Sequence, residues 1–204
     1  MKTSPFFNHV ATGIVLLIIS MGVSTMTMAD QDWSTLSKKK QTTLGLYMTA
    51  KQSYEHMQKN ADNSLFLDVR TPAELNYLGA ASVMDANVPT VFMDRTQWND
   101  KKRRFKRIKN ENFVNDVGMR LKQKGLSKND TVILMCRSGK RSASAVDMLA
   151  KNGYTKVYTV VDGYEGDKSK TAPNKGKRTV NGWKNSGLPW TYVLDRDLMY
   201  GVSK

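Results

Sequence analysis

Beyond its N-terminal segment, the chain alternates short apolar runs with amphipathic stretches. Val132-Ile133-Leu134-Met135 reads as a strand buried on both faces, as do Leu65-Phe66-Leu67 within Ser64 to Arg70, and Val157 to Val161. Helical spacing lies between these runs. Phe113, Val117 and Leu121 recur every fourth position and are closed by Gly125, and a second helix is expected from Ser142 to about Asn152, closed by Gly153. Thr49 with Gln52 in capping-box spacing predicts a helix through about Lys59, and Thr71 followed by Pro72 predicts another helix start. Shorter strands are expected at Leu46-Tyr47-Met48, from Val88 to Phe92 and from Trp190 to Leu194, with a short helix from Asn181 to Asn185. Strands alternating with helices imply a parallel sheet covered on both faces.

The ends and the polar stretches complete the organisation. Val10 to Val23 is an apolar run of 14 residues after Lys2, shorter than the roughly 20 that a membrane-spanning helix needs. Thr27-Met28-Ala29 fits the small-x-small pattern of a signal-peptidase site, so residues 1–29 are expected to be a cleaved export signal or, alternatively, an uncleaved anchor. Export of a Gram-negative type would place the mature protein in the periplasm. Residues 30–45, with Lys38-Lys39-Lys40, read as an extended arm, and residues 46–204 as a single domain. Basic insertions are expected near 95–110 and 166–179.

Charge changes the picture more than composition does. With 40% hydrophobic and 25% charged residues the chain is that of a globular protein, yet its net charge is +14. Lys101 to Lys109 holds seven cations in nine residues. That run is first of all a solvated basic face, and otherwise a docking surface for an acidic protein or an anionic membrane. No nucleic-acid-binding signature accompanies it. No cluster of His and Cys is spaced to bind a metal, and no cofactor is expected.

The chemistry centres on Cys136, the single cysteine. It ends the strand at Met135 and opens the cationic turn Arg137-Ser138-Gly139-Lys140-Arg141. A thiol at a strand-to-helix turn sits near loop N–H groups and a positive helix end, which favours the thiolate. An exported chain with one cysteine can form no internal disulfide, which favours a chemical reason for keeping the thiol. Asp68 and Arg70 fall at the C-terminal edge of a neighbouring strand, where open α/β sheets place their sites.

Taken together, Leu67-Asp68-Val69-Arg70-Thr71-Pro72-Ala73-Glu74, Cys136-Arg137-Ser138-Gly139-Lys140-Arg141-Ser142, Asp162-Gly163-Tyr164, and Gly182-Trp183 through Gly187-Leu188-Pro189 resemble a single-domain rhodanese. The resemblance implies an α/β three-layer sandwich around a mainly parallel sheet of about five strands. It also implies transfer of a sulfane sulfur from thiosulfate or a similar small anionic donor to a thiol or cyanide. Cys136 would hold the persulfide, backbone N–H groups of Arg137 to Arg141 would cradle it, and Arg141 would meet the donor's oxygens. Asp68 and Arg70 match a supporting segment beside the loop. Two departures stand out. Glu74 occupies the position where two-domain members place a substrate-contacting Arg, and Tyr77-Leu78-Gly79-Ala80-Ala81 replaces the usual segment after the second helix.

Two alternatives stay open from the sequence. One is a non-catalytic binding module on the same fold. The other is a phosphatase or arsenate reductase, although those use Cys-x5-Arg and this chain has the shorter Cys-x4-Arg from Cys136 to Arg141.

Overall fold

The computed structural model describes Met1 and residues 31–202; the expected export signal, residues 1–29, lies outside the described residues apart from Met1. Five parallel strands form the central sheet in the order β1 (Tyr47–Met48), β8 (Val157–Val160), β7 (Thr131–Met135), β2 (Ser64–Asp68) and β4 (Ala86–Asn87). The period of two along the central strands sorts their side chains onto two faces. Leu65, Leu67, Val132 and Leu134 meet Phe113, Val117 and Leu121 of α3 (Phe113–Gln123) and Val146 and Leu149 of α4 (Lys140–Ala150). Phe66, Ile133 and Met135 turn the other way. They pack with Met57 of α1 (Ala50–Asn60), Leu75 of α2 (Pro72–Leu78) and Trp183. The result is a three-layer α/β sandwich, which is why every residue of β2 is buried.

The local signals act as their chemistry requires. Thr49 and Gln52 form a reciprocal capping box at the start of α1, and Thr71 and Glu74 form another at α2. Helix α3 ends with Leu126 N–H on Leu121 O and Gly125 N–H on Lys122 O, the paired bonds of a glycine-terminated helix. Among the described residues, no helix is long and apolar enough to cross a membrane.

Five expectations are corrected. The strand expected from Val88 to Phe92 is split: β4 ends at Asn87, Val88 N–H and Thr90 N–H on either side of Pro89 still donate to Asp68 O and Val69 O, and β5 (Val91–Asn99) begins after the break. Within the stretch expected as a basic insertion, which this does not correct, β5 pairs antiparallel with β6 (Arg104–Lys109). Helix α4 begins at Lys140 rather than Ser142, directly after Gly139. Residues 181–185 form turns, because Gly182 takes a positive φ of 100° that no α-helix continues. The last strand is shorter than expected: β9 (Trp190–Thr191) pairs antiparallel with β3 (Ala80–Ala81), outside the central sheet. The arm is not extended either. It folds in turns against the body, with Lys40 buried and 2.6 Å from Asp167, and with Thr43 N–H and Oγ1 on the Asp147 carboxylate.

Candidate functional site

Cys136 follows the last residue of β7, at the C-terminal edge of the sheet and near its centre, and is 1% exposed. Two backbone conformations hold the turn that follows. Gly139 has φ +84°, and a Cβ there would overlap the Val161 carbonyl. Gly163 has φ +65°, and its missing side chain lets the Asp162-Gly163-Tyr164 turn press against Cys136 O. That turn fastens the loop: Tyr164 N–H donates to Cys136 O at 2.8 Å, and Glu165 N–H to Arg137 O at 2.9 Å. Asp162 in turn accepts from Ala50 N–H at 2.8 Å and Gly182 N–H at 3.2 Å. Burial raises its pKa despite those bonds.

Helix α4 then rises directly from the loop. Its first N–H groups, at Lys140, Arg141 and Ser142, have no partner within the helix. Ser142 is buried and donates to Cys136 Sγ at 3.5 Å, and its Oγ lies 3.1 Å from Gly139 O and 2.7 Å from Thr159 Oγ1. The pair Ser142–Thr159 thus ties the thiol to β8. Ser142 belongs to the motif, but its spacing alone gives it no part in the site. No local signal marks Thr159; it faces the loop because β8 pairs with β7.

Arg141 does not stand free to meet a donor. Its Nη1 and Nη2 donate to the two Glu74 oxygens at 2.7 and 2.6 Å, a bidentate pair. Burial alone would raise the Glu74 pKa, but Arg141's hydrogen bonds and charge, with the Thr71 N–H and Arg70, hold it at about 2. The residue that departs from the family pattern therefore neutralises the arginine that closes the loop. The resemblance assigned Arg141 to the donor's oxygens; in the structure its guanidinium is engaged by Glu74.

Asp68 and Arg70 sit one strand away, with Asp68 in register with Met135. Both side chains are fully buried, with Arg70 Nη2 2.7 Å from Asp68 Oδ2 and 2.8 Å from Gly79 O. The Arg70 guanidinium also lies 3.8 Å above the Tyr164 ring, so it supports the turn that fastens the loop. Neither residue reaches solvent.

The β5–β6 ribbon brings further cations to the loop. Trp98, Phe105, Met93, Arg104 and Arg107 line one side of an open cleft of about 390 Å³; Arg137, Glu74 and Thr71 line the other. Arg107 loses enough water there, beside Arg141 and Arg104, to lower its pKa, with Glu74 opposing the shift. Arg137 lies 3.8 Å from Glu165. From the second basic stretch, Arg178 donates to Gly166 O and lies within electrostatic reach of Arg137 and Cys136. The connection between the two strands, Asp100 to Arg103, contains no glycine, so no standard hairpin signal marks the ribbon in the sequence. Among the described residues no group of His, Cys, Asp and Glu is placed to hold a metal.

A profile of the family described as rhodanese-like domain matches residues 49–170, which contain the cysteine loop, the Asp68–Arg70 pair and the ribbon. The chain belongs to the rhodanese-like domain family. It is 31% identical over 132 residues to uncharacterized protein RP600 of Rickettsia prowazekii, covering 64% of this chain and 85% of that one. It is 24% identical over 142 residues to rhodanese-like domain-containing protein 4, chloroplastic, of Arabidopsis thaliana, covering 70% of this chain and 25% of that one. The crystal structure of Rv0390 from M. tuberculosis is similar at a TM-score of 0.53 and 27% identity, covering 72% of this chain and 97% of that one. The rhodanese-like fold thus accounts for the loop and for the turn that braces it.

Proposed function

We propose that the protein is a sulfurtransferase in which Cys136 carries the sulfur. The observation that supports this reading best is the position of Cys136 Sγ: it lies at the base of the Cys-x4-Arg loop, 3.5 Å from the Ser142 hydroxyl. The first N–H groups of α4 open onto the same loop. The Cys136 thiolate attacks the terminal, outer sulfur of a donor ⁻S–X. The S–X bond breaks, and X leaves with the bonding electrons, as sulfite when the donor is thiosulfate. The outer sulfur of the resulting Cys136 persulfide takes its negative charge into the cradle of N–H donors. An acceptor thiolate or cyanide then attacks that sulfur and releases the Cys136 thiolate. No step requires a metal.

Ser142 positions the sulfur, and Thr159 positions Ser142. The short loop suits a single sulfur better than a tetrahedral phosphate, which supports sulfur transfer over phosphoryl or arsenate chemistry. Mass spectrometry of the full chain after incubation with thiosulfate or polysulfide tests the proposal. The expected result is a mass gain of one sulfur atom on Cys136, lost on addition of a thiol and absent in Cys136→Ser. If Cys136 gains no sulfur from any donor, or Cys136→Ser still transfers sulfur, the proposal fails.

A further inference from the structure

The arm, residues 31–45, precedes the segment that matches the family, residues 49–170, yet it fastens the elements that hold the cysteine loop. Lys40 is its one buried residue. The Lys40 side chain is 9% exposed, and its Nζ donates to Asp167 Oδ2 at 2.6 Å. Asp167 ends the turn that braces the loop: the two residues before it, Glu165 and Gly166, both donate their N–H to Arg137 O, at 2.9 and 3.2 Å. Asp162, which opens the same turn, also lies within electrostatic reach of Lys40. One ammonium thus acts on carboxylates at both ends of the turn. A second anchor reaches the helix that rises from the loop, where Thr43 N–H and Oγ1 donate to Asp147 Oδ1 of α4 at 2.7 and 2.9 Å. The arm then runs into β1 through Leu46, whose carbonyl accepts from Thr159 N–H at 3.2 Å. Thr159 is the residue that holds Ser142.

We propose that the arm is a working part of the site and that Lys40 is a positioning residue for the cysteine loop. The effect on turnover rests on the sulfurtransferase reading; the brace itself does not. Burying an ammonium is costly unless its charge is paired, and the neighbouring Lys38 and Lys39 stay exposed, so the place of Lys40 rather than the basic run makes the contact. A turn with a carboxylate at each end repels itself, and a cation near both relieves that repulsion. The consequence reaches the cradle through geometry. Arg137 C=O and Ser138 N–H belong to one planar peptide unit, so fixing the carbonyl fixes the direction of a donor in the loop. Releasing Asp167 frees the end of the turn that clamps Arg137 O, and the carbonyl and the N–H can then swing together. A sulfur carried on Cys136 would lose an aligned donor.

The test uses the full chain, with each variant first shown to be folded by circular dichroism. Lys40→Met keeps the bulk of the stem and removes the charge. Its kcat for sulfur transfer should fall about tenfold while KM for thiosulfate stays within about twofold, the mark of a misplaced cradle rather than a lost binding contact. N-ethylmaleimide reads the loop without any sulfur chemistry. Cys136 is 1% exposed, so it reacts when the loop opens. Its rate of modification should rise about tenfold in Lys40→Met, because local opening becomes easier. Asp167→Asn removes the other half of the pair and should give the same two changes, and combining both substitutions should add little to either alone. Lys38→Met/Lys39→Met removes more charge from the same arm and should change neither quantity. An unchanged maleimide rate in Lys40→Met overturns the inference, as does an unchanged kcat in a chain that transfers sulfur. An equal change in the Lys38/Lys39 variant also overturns it, by assigning the effect to overall charge. If the wild-type chain transfers no sulfur, the sulfurtransferase reading fails and the maleimide rates alone decide the brace.

Discussion

Two arginine–carboxylate pairs flank the cysteine loop, built from the same groups at nearly the same distance. Arg70 and Asp68 are 2.7 Å apart with side chains 0% exposed; Arg141 and Glu74 are 2.6 Å apart with side chains 15% and 19% exposed. The first pair is buried among Gly79 O, the Tyr164 ring and Asn87, whose amide donates to Asp68 O and Arg70 O. The second opens onto the cleft with Arg107 and Arg137. Burial makes the first a brace, because charges removed from water must keep their partners. Partial exposure makes the second adjustable, because water and neighbouring cations share in its balance.

Breaking the brace should have the largest effect. Asp68→Ala leaves the Arg70 guanidinium buried and unpaired, and should cost about 3–5 kcal/mol in urea unfolding. A loss below about 1 kcal/mol, the range of exposed pairs, would erase the contrast. Ser142→Ala comes next. It leaves the Thr159 hydroxyl without its partner in the interior, at a cost of about 1–3 kcal/mol. It also takes the donor from Cys136 Sγ, so the kcat of sulfur transfer should fall while KM for the donor holds. A purely structural role for Ser142 would leave kcat per folded molecule unchanged.

The adjustable pair should give the smallest change in stability and a change of function in the opposite direction. Gln at position 74 can still serve the capping box, so Glu74→Gln should cost about 1–2 kcal/mol, less than Asp68→Ala. It also releases Arg141, and KM for thiosulfate should fall about threefold to tenfold through one more available charge-assisted contact. An unchanged KM would show that Arg141 is turned away from the donor for reasons other than Glu74. The same pair sets a pH signature. Folding lowers the Glu74 pKa from 4.5 to about 2, so its contribution to stability is complete above about 4.5 and is lost as pH falls through about 2. Thermal midpoints of the wild type and Glu74→Gln should converge across that window.

Much of this architecture was legible in the residues. The central strands, both capping boxes, the α3 stripe of Phe113, Val117 and Leu121, and the cysteine at a strand-to-helix turn are all written in local spacing. Local spacing does not show pairing across the chain. Lys101 to Lys109 reads as a solvated basic run because its charges outnumber its apolar residues, yet antiparallel pairing with β5 aligns Arg107 with Phe105 on the side that lines the cleft with Arg137. Sequence could note that Glu74 departs from the family pattern, but not that it clamps Arg141, which is 67 residues away.

The sequence by itself determined the α/β alternation, the place of the single cysteine at a strand-to-helix turn and the length of its loop, because each depends on the order of neighbouring residues. The tertiary structure decided which charges face Cys136 and which are neutralised. That depends on distances between residues far apart in the chain, and Coulomb energies and desolvation follow distance in space rather than in sequence.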